Sequence, residues 1–238
     1  NAYRDTLAGR MSANSVARYK NTLNAAFNWY IKENGLEITS PFAGLLIKGA
    51  GSSKVDRLPL QDEHIKLIEP AMKESEIAWA LYVLLRDTGA RVAEIAGLRV
   101  QDCDTAKRCL TITPTPWRRL KNKTSERSVP LSQEAARLLK DLTKGKAAEE
   151  PVFERYAKDR GMDNCSQMLM KRLRTAITDK KLTMHSLRHR MKDKLRNTGC
   201  PEAISMAILG HGSNTVAANY GSGYALDVMR EHMEKVWA

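Results

Sequence analysis

Four short clusters place arginine, lysine, histidine and tyrosine where they could act on an anionic ester. In Thr88-Gly89-Ala90-Arg91-Val92-Ala93-Glu94, a glycine break presents Arg91 at the start of a helix. The helix dipole opposes a cation at that end. Arg91 is better suited there to holding an anion, together with the free backbone N–H groups of the first turn. The plain alternative is an Arg91–Glu94 surface pair, which stabilises little. The hairpin-like stretch Lys121-Asn122-Lys123-Thr124-Ser125-Glu126-Arg127 offers two tip lysines, Lys121 and Lys123. A lysine at a tip ordinarily does no more than solubilise. In His185-Ser186-Leu187-Arg188-His189, His185 and Arg188 are three residues apart and share a helix face. A histidine beside a permanent cation suits phosphate binding with proton transfer. His185 and His189 also have a zinc-like spacing, but no acidic residue lies between them and Arg188 shares their face, so no metal is expected. The last cluster is Leu209-Gly210-His211, followed by Tyr220 nine residues after the histidine. A lone tyrosine usually packs with a satisfied hydroxyl, and Tyr224 has the same standing.

The charge distribution points to a partner. The 238 residues carry 39 Lys and Arg against 27 Asp and Glu, a net charge of +12. Residues 171–196 hold ten basic and two acidic residues, and residues 116–127 hold five basic and one acidic. Together these segments account for the whole excess, and the rest of the chain is neutral. Positive charge concentrated in this way suits a polyphosphate, because each neutralised phosphate releases condensed counterions. A solvated helix face plus a charged hairpin is the competing reading. The four cysteines, Cys103, Cys109, Cys165 and Cys200, form no CxxC and no metal-ligand spacing, and read as reduced thiols. The longest apolar run, Ile77–Leu85, has nine residues, far short of the roughly 20 a membrane span needs. No N-terminal stretch has the order of a signal peptide.

These clusters need elements to position them. Val16, Tyr19, Leu23, Ala26, Phe27, Tyr30 and Ile31 recur at helical spacing between a cap at Ser12 or Asn14 and a stop at Gly35. Residues 48–56 read as a linker. Beyond it, helices are expected over residues 60–72, 74–87 and 91–98. Short strands follow at 109–113 and 127–130, then a helix capped by Ser132. Further helices are expected over 164–178, 184–198, 201–209 and 225–236. The fold class is mainly α with a small antiparallel β-sheet (α+β).

In this order, T-G-A-R-V-A-E (88–94), L-K-N-K-T-S-E-R-S-V-P-L (120–131), H-S-L-R-H (185–189), L-G-H (209–211) and Y-G (220–221) resemble the catalytic domain of the tyrosine recombinases, the phage-integrase family. The resemblance implies a catalytic domain over residues 57–238 similar to that of type IB topoisomerases. It also implies that residues 1–47 correspond to the end of a helical core-binding domain, joined by the linker 48–56. It makes Tyr220 the nucleophile on a scissile phosphate clamped by Arg91 and Arg188. Lys121 would protonate the leaving group, with Lys123 as the alternative. His185 and His211 would complete the pocket, supported by Glu94, with no cofactor and no metal. Arg118, Arg119, Lys123, Lys171, Arg172, Lys192 and Lys194 are the candidates for gripping DNA. The partners implied are double-stranded DNA carrying a core recombination site, a homotetramer on paired sites, and accessory DNA-bending and directionality proteins, in the cytoplasm with the nucleoid. A non-catalytic DNA-binding regulator and topoisomerase-like relaxation are the competing functions. One departure stands out: Arg190 and Met191 follow His189, where the family usually continues with Thr or a small residue. The C-terminal helix, about residues 225–237, with Leu226, Met229, Met233 and Val236 or Trp237 at helical spacing, is expected to contact a neighbouring subunit, with docking on its own chain as the alternative.

Overall fold

The computed structural model describes residues 2–51, 58–120, 123–211 and 223–238. The chain divides into two compact units, Asn1–Asp56 and Arg57–Ala238.

The first unit contains α1 (Ala2–Ala8) and α2 (Ala13–Glu33). Ser12 caps α2, its Oγ accepting the Ser15 N–H at 3.3 Å. Val16 is buried, and the Phe27 and Phe42 rings meet edge to face at 5.3 Å, folding the following segment back onto the helix. The Asn14 Oδ1 accepts the Gly51 N–H at 2.7 Å, closing the unit. The rest of the apolar stripe is not covered: Tyr19, Trp29 and Tyr30 are all more than half exposed.

The second unit is built around α4 (Glu76–Thr88). Its run from Ala80 to Leu85 is buried on every side, which is why the sequence shows a continuous apolar stretch there and not a stripe. Around it pack α3 (Asp62–Lys73), α5 (Val92–Ala96), α6 (Gln133–Thr143) and α8 (Ser186–Asn197). Ser75 and Ser132 cap α4 and α6 through their hydroxyls. The antiparallel sheet runs in the order β1 (Cys103–Asp104), β2 (Cys109–Ile112), β3 (Arg127–Pro130), with Leu110 opposite Val129, both buried in the core. α7 (Gly161–Ala176) covers α3 and α5, and α9 (Glu202–Leu209) lies against α8 and β3.

The C-terminal helix α10 (Leu226–Trp237) packs on α8 and β3 of its own chain, burying Met229, Met233 and Val236. The Trp237 Nε1–H donates to the Asp87 carbonyl at 2.9 Å. The face expected to meet a neighbouring subunit is therefore filled within the chain, because β3 and α8 offer it an apolar bed. All four cysteines are free. Burial, with help from Asp102, pushes the Cys103 thiol up to about 12, and burial does the same to Cys165. Cys109 and Cys200 are also raised, chiefly by burial. No helix among the described residues is long and apolar enough to cross a membrane.

Candidate active site

The site begins where α4 stops. Gly89 ends that helix in the left-handed region at φ 63°, its N–H bonding to the Leu85 carbonyl. A side chain here would also collide: an added Cβ would lie 2.7 Å from the Met191 Cγ and 2.8 Å from a Leu209 methyl. Met191, at the position that departs from the family pattern, is buried against this glycine. Its neighbour Arg190 ties back to the Leu60 carbonyl and to Asp62.

Two residues on, Arg91 occupies the cap position of α5. Glu94, one turn later, accepts the Arg91 N–H at 2.9 Å on one oxygen and the Arg91 guanidinium on the other. It is no surface pair, since the Glu94 side chain is 4% exposed. The same carboxylate accepts the Arg127 Nη2 at 3.0 Å. Burial favours the neutral acid, but Arg127 and Arg91 outweigh it and hold Glu94 below the usual carboxylate range. The Arg91 Nη1 also lies 3.4 Å from the Ser125 Oγ, while its Nε and Nη2 make no hydrogen bond among the described residues.

Arg188 enters from the first turn of α8. Its Nη1 donates to the Gly89 carbonyl at 2.9 Å and its Nη2 to the Leu209 carbonyl. It is buried, and burial, followed by the charge of Arg91, pushes it down to about 10, which still leaves it charged at neutral pH. His211 follows the end of α9. Burial pushes it down to about 4, reinforced by Arg188, Lys192, Arg91 and Arg127. His185 stands at the start of α8, one turn before Arg188, with its ring edge to face against His189 at 5.1 Å.

The structure thus brings together Arg91, Glu94, Arg188 and His211. Lys121 and Tyr220 lie outside the described residues, and of Lys123 only the backbone, in the turn Lys123–Ser125, is described. Tyr224 is 44% exposed just ahead of α10.

The basic residues divide. Arg119 and Lys171 are exposed, and Lys192 lies close enough to His211 to repel its proton. Arg118 is instead buried against Gly97, donating to the Thr113 carbonyl at 2.5 Å. Arg172 ties α7 to the end of α3 through the Ala71 carbonyl at 2.6 Å and Glu74 at 2.9 Å. Lys194 donates to the Val236 carbonyl at 3.0 Å under α10. Much of the charge in residues 171–196 therefore staples the protein's own carbonyls. Among the described residues no group of three His, Cys, Asp or Glu side chains is placed to hold a metal ion. Sequence reading did not single out Arg127 or Gly210, although both fall inside quoted motifs. Arg127 is buried through contacts distant in sequence, and no local pattern signals it.

Comparison with known proteins follows the same lines. The Phage integrase family model matches residues 58–224. The transposase from transposon Tn916 of Enterococcus faecalis is 24% identical over 261 residues, covering 95% of this chain and 64% of the relative. A tyrosine recombinase of Pseudothermotoga lettingae is 25% identical over 217 residues, covering 89% of this chain and 71% of the relative. Among solved structures, the Tn1549 transposon integrase in complex with a circular intermediate DNA matches with a TM-score of 0.65 at 19% identity, covering 98% of this chain and 82% of that one. A lambda integrase dimer bound to a core site matches with a TM-score of 0.65 at 19% identity, covering 94% and 65%. These two likenesses establish the fold. The chain spans 64% of the length of the transposon transposases it matches. The family match takes in the Arg91–Glu94 turn, both strands flanking the hairpin, α8 and the end of α9, and on that extent the chain belongs to the phage integrase family.

Proposed function

We propose that this chain is a site-specific DNA recombinase, an integrase that cuts and rejoins DNA through a 3′-phosphotyrosyl intermediate and moves a phage or other mobile element. The observation that carries the reading is that Arg91 and Arg127 share the buried Glu94 carboxylate, while Arg188 and Arg127 hold the last carbonyls of α9, just ahead of His211. A phosphodiester is anionic and repels a nucleophile. Arg91, held by Glu94, and Arg188, locked on two carbonyls, neutralise that charge and stabilise the additional charge of the pentavalent transition state. A site built only to grip the DNA backbone needs no such anchored arginines; exposed lysines suffice.

In this reading the Tyr220 hydroxyl oxygen attacks the scissile phosphorus. Its proton passes to a neighbouring base within the pocket that His185 and His211 complete. The bond from phosphorus to the 5′-oxygen breaks, and that oxygen takes a proton from Lys121. The phosphotyrosyl ester retains the energy of the broken bond, and a 5′-hydroxyl from a second DNA reverses the step to rejoin. A homotetramer on paired core sites, accessory bending and directionality proteins, and a cytoplasmic setting with the nucleoid belong to the same proposal.

The test is a nicked suicide substrate with EDTA present, resolved on a denaturing gel. A slow-migrating protein–DNA band is expected for the natural sequence and for Tyr224→Phe, and not for Tyr220→Phe. A band that persists in Tyr220→Phe, or that needs added metal, overturns the mechanism. DNA binding with no band in any variant favours the non-catalytic regulator.

A further inference from the structure

The last turn of α9 ends in carbonyls that the helix itself cannot satisfy. Two arginines from different elements take them. Arg188 from α8 donates to the Leu209 carbonyl, and Arg127 from β3 donates through its Nε to the Ile208 carbonyl at 2.7 Å. A cation at a helix C-terminus is also favoured by the dipole. Arg127 does more than cap. Its Nη1 donates to the Ser125 carbonyl at 2.8 Å and its Nη2 to Glu94 at 3.0 Å. Each nitrogen of one guanidinium thus holds a different element: the hairpin turn, the α5 carboxylate that orients Arg91, and the end of α9 from which His211 departs. The side chain is 7% exposed. Space for it is made at Gly210, where an added Cβ would fall 2.6 Å from the Arg127 Nη1.

We propose that Arg127 is a positioning residue for the cleavage step. It fixes Arg91, through Glu94, relative to the end of α9, the element from which His211 departs. The inference rests on the recombinase reading above. Lysine cannot replace this arginine, because a single ammonium at the end of a flexible stem cannot hold three diverging acceptors in one plane. A site loosened by an ångström loses rate while keeping the charges that attract DNA.

The experiment measures single-turnover formation of the covalent complex on the nicked substrate at saturating protein, alongside DNA affinity by gel shift. It compares the natural chain, Arg127→Lys, Gly210→Ala and the double variant. Arg127→Lys is expected to lower the rate constant roughly 10- to 100-fold, with affinity and final amplitude unchanged. Gly210→Ala leaves the arginine in place but sets a methyl against its guanidinium, at a left-handed backbone position (φ 64°) that also strains alanine, and should show the same split between rate and affinity. In the double variant the two losses should combine to less than their product, since the alanine methyl no longer meets a guanidinium. If Arg127→Lys fails to fold in a thermal melt, Gly210→Ala carries the test alone. A natural rate constant in Arg127→Lys overturns the proposal. So does a loss of amplitude and affinity together at unchanged rate, which is the mark of a merely structural residue. Absence of the covalent band in the natural chain is a different outcome; it sinks the recombinase reading, and this inference with it.

Discussion

Glu94 grips Arg91 twice, accepting its backbone N–H at 2.9 Å on one carboxylate oxygen and its guanidinium on the other. The carboxylate that closes the first turn of the short helix α5, by accepting the cap residue's N–H, is therefore also the one that aims the Arg91 guanidinium. Helix start and site geometry share a single carboxylate, with Arg127 as its third partner.

Replacing that carboxylate by an amide should cost stability as well as rate. Glu94→Gln leaves buried Arg127 without its counter-charge, at a cost of about 3 kcal/mol. The penalty is pH-dependent. The Glu94 carboxyl is held low in the folded chain, so its contribution is fully present above the unfolded value of about 4.3. It is lost as pH falls through the lower folded value. Urea titrations of the two proteins should differ most at neutral pH and converge in strong acid.

The two clamp arginines should separate in a thermal melt. Arg188→Ala strands the buried Gly89 and Leu209 carbonyls, which costs about 3 kcal/mol, a drop of roughly 5–10 °C for a chain of this size. Arg91→Ala removes a partly exposed side chain and should melt nearer the natural protein. In the proposed mechanism each stabilises transition-state charge, so both should reduce covalent-complex formation by roughly 100-fold or more.

His211 should titrate late. Burial and four cations push it down to about 4, against about 6.5 in an unfolded chain. The fold therefore favours the neutral ring. Its contribution to stability is fully present above pH 6.5 and declines as pH falls from there towards 4. Imidazole resonances followed by NMR in the free protein should show His211 neutral at pH 5.5. Adding a duplex should raise its midpoint, because a phosphate offsets the cations that repel the proton.

Gly89 and Met191 should be coupled. Gly89→Ala places a methyl against Met191 and Leu209 at a left-handed backbone position, at a cost of about 3 kcal/mol. In a Met191→Ala background the same change should cost at least about 1 kcal/mol less. Chemical denaturation of the four proteins closes the cycle, and additive losses would show that the contact is not the cause.

Most of the helices were legible because their signals are local: Ser12 and Ser132 as caps, Gly35 and Gly89 as stops, apolar residues at helical spacing. β1 escaped because two residues are too few for any alternation to register, and α1 because its apolar spacing is too short to stand out. The arginine-bearing motifs were legible, but what each arginine touches was not. Arg172 bonds to residues about a hundred positions away, and Arg127 bonds to partners 33 and 81 positions away. Charge counted along a sequence says where cations are dense. It does not say which of them the fold turns inward, as it does Arg118.

The four cysteines have a practical consequence. Alkylating reagents capture the thiolate, and in this fold burial biases every thiol towards its protonated form, Cys103 and Cys165 most strongly. A single cysteine introduced at an open position such as Arg137, on the exposed side of α6, would react first with a maleimide dye at neutral pH. The natural sequence thus already provides a quiet background for fluorescence, in which the proposed arrival of individual molecules on a tethered duplex could be followed.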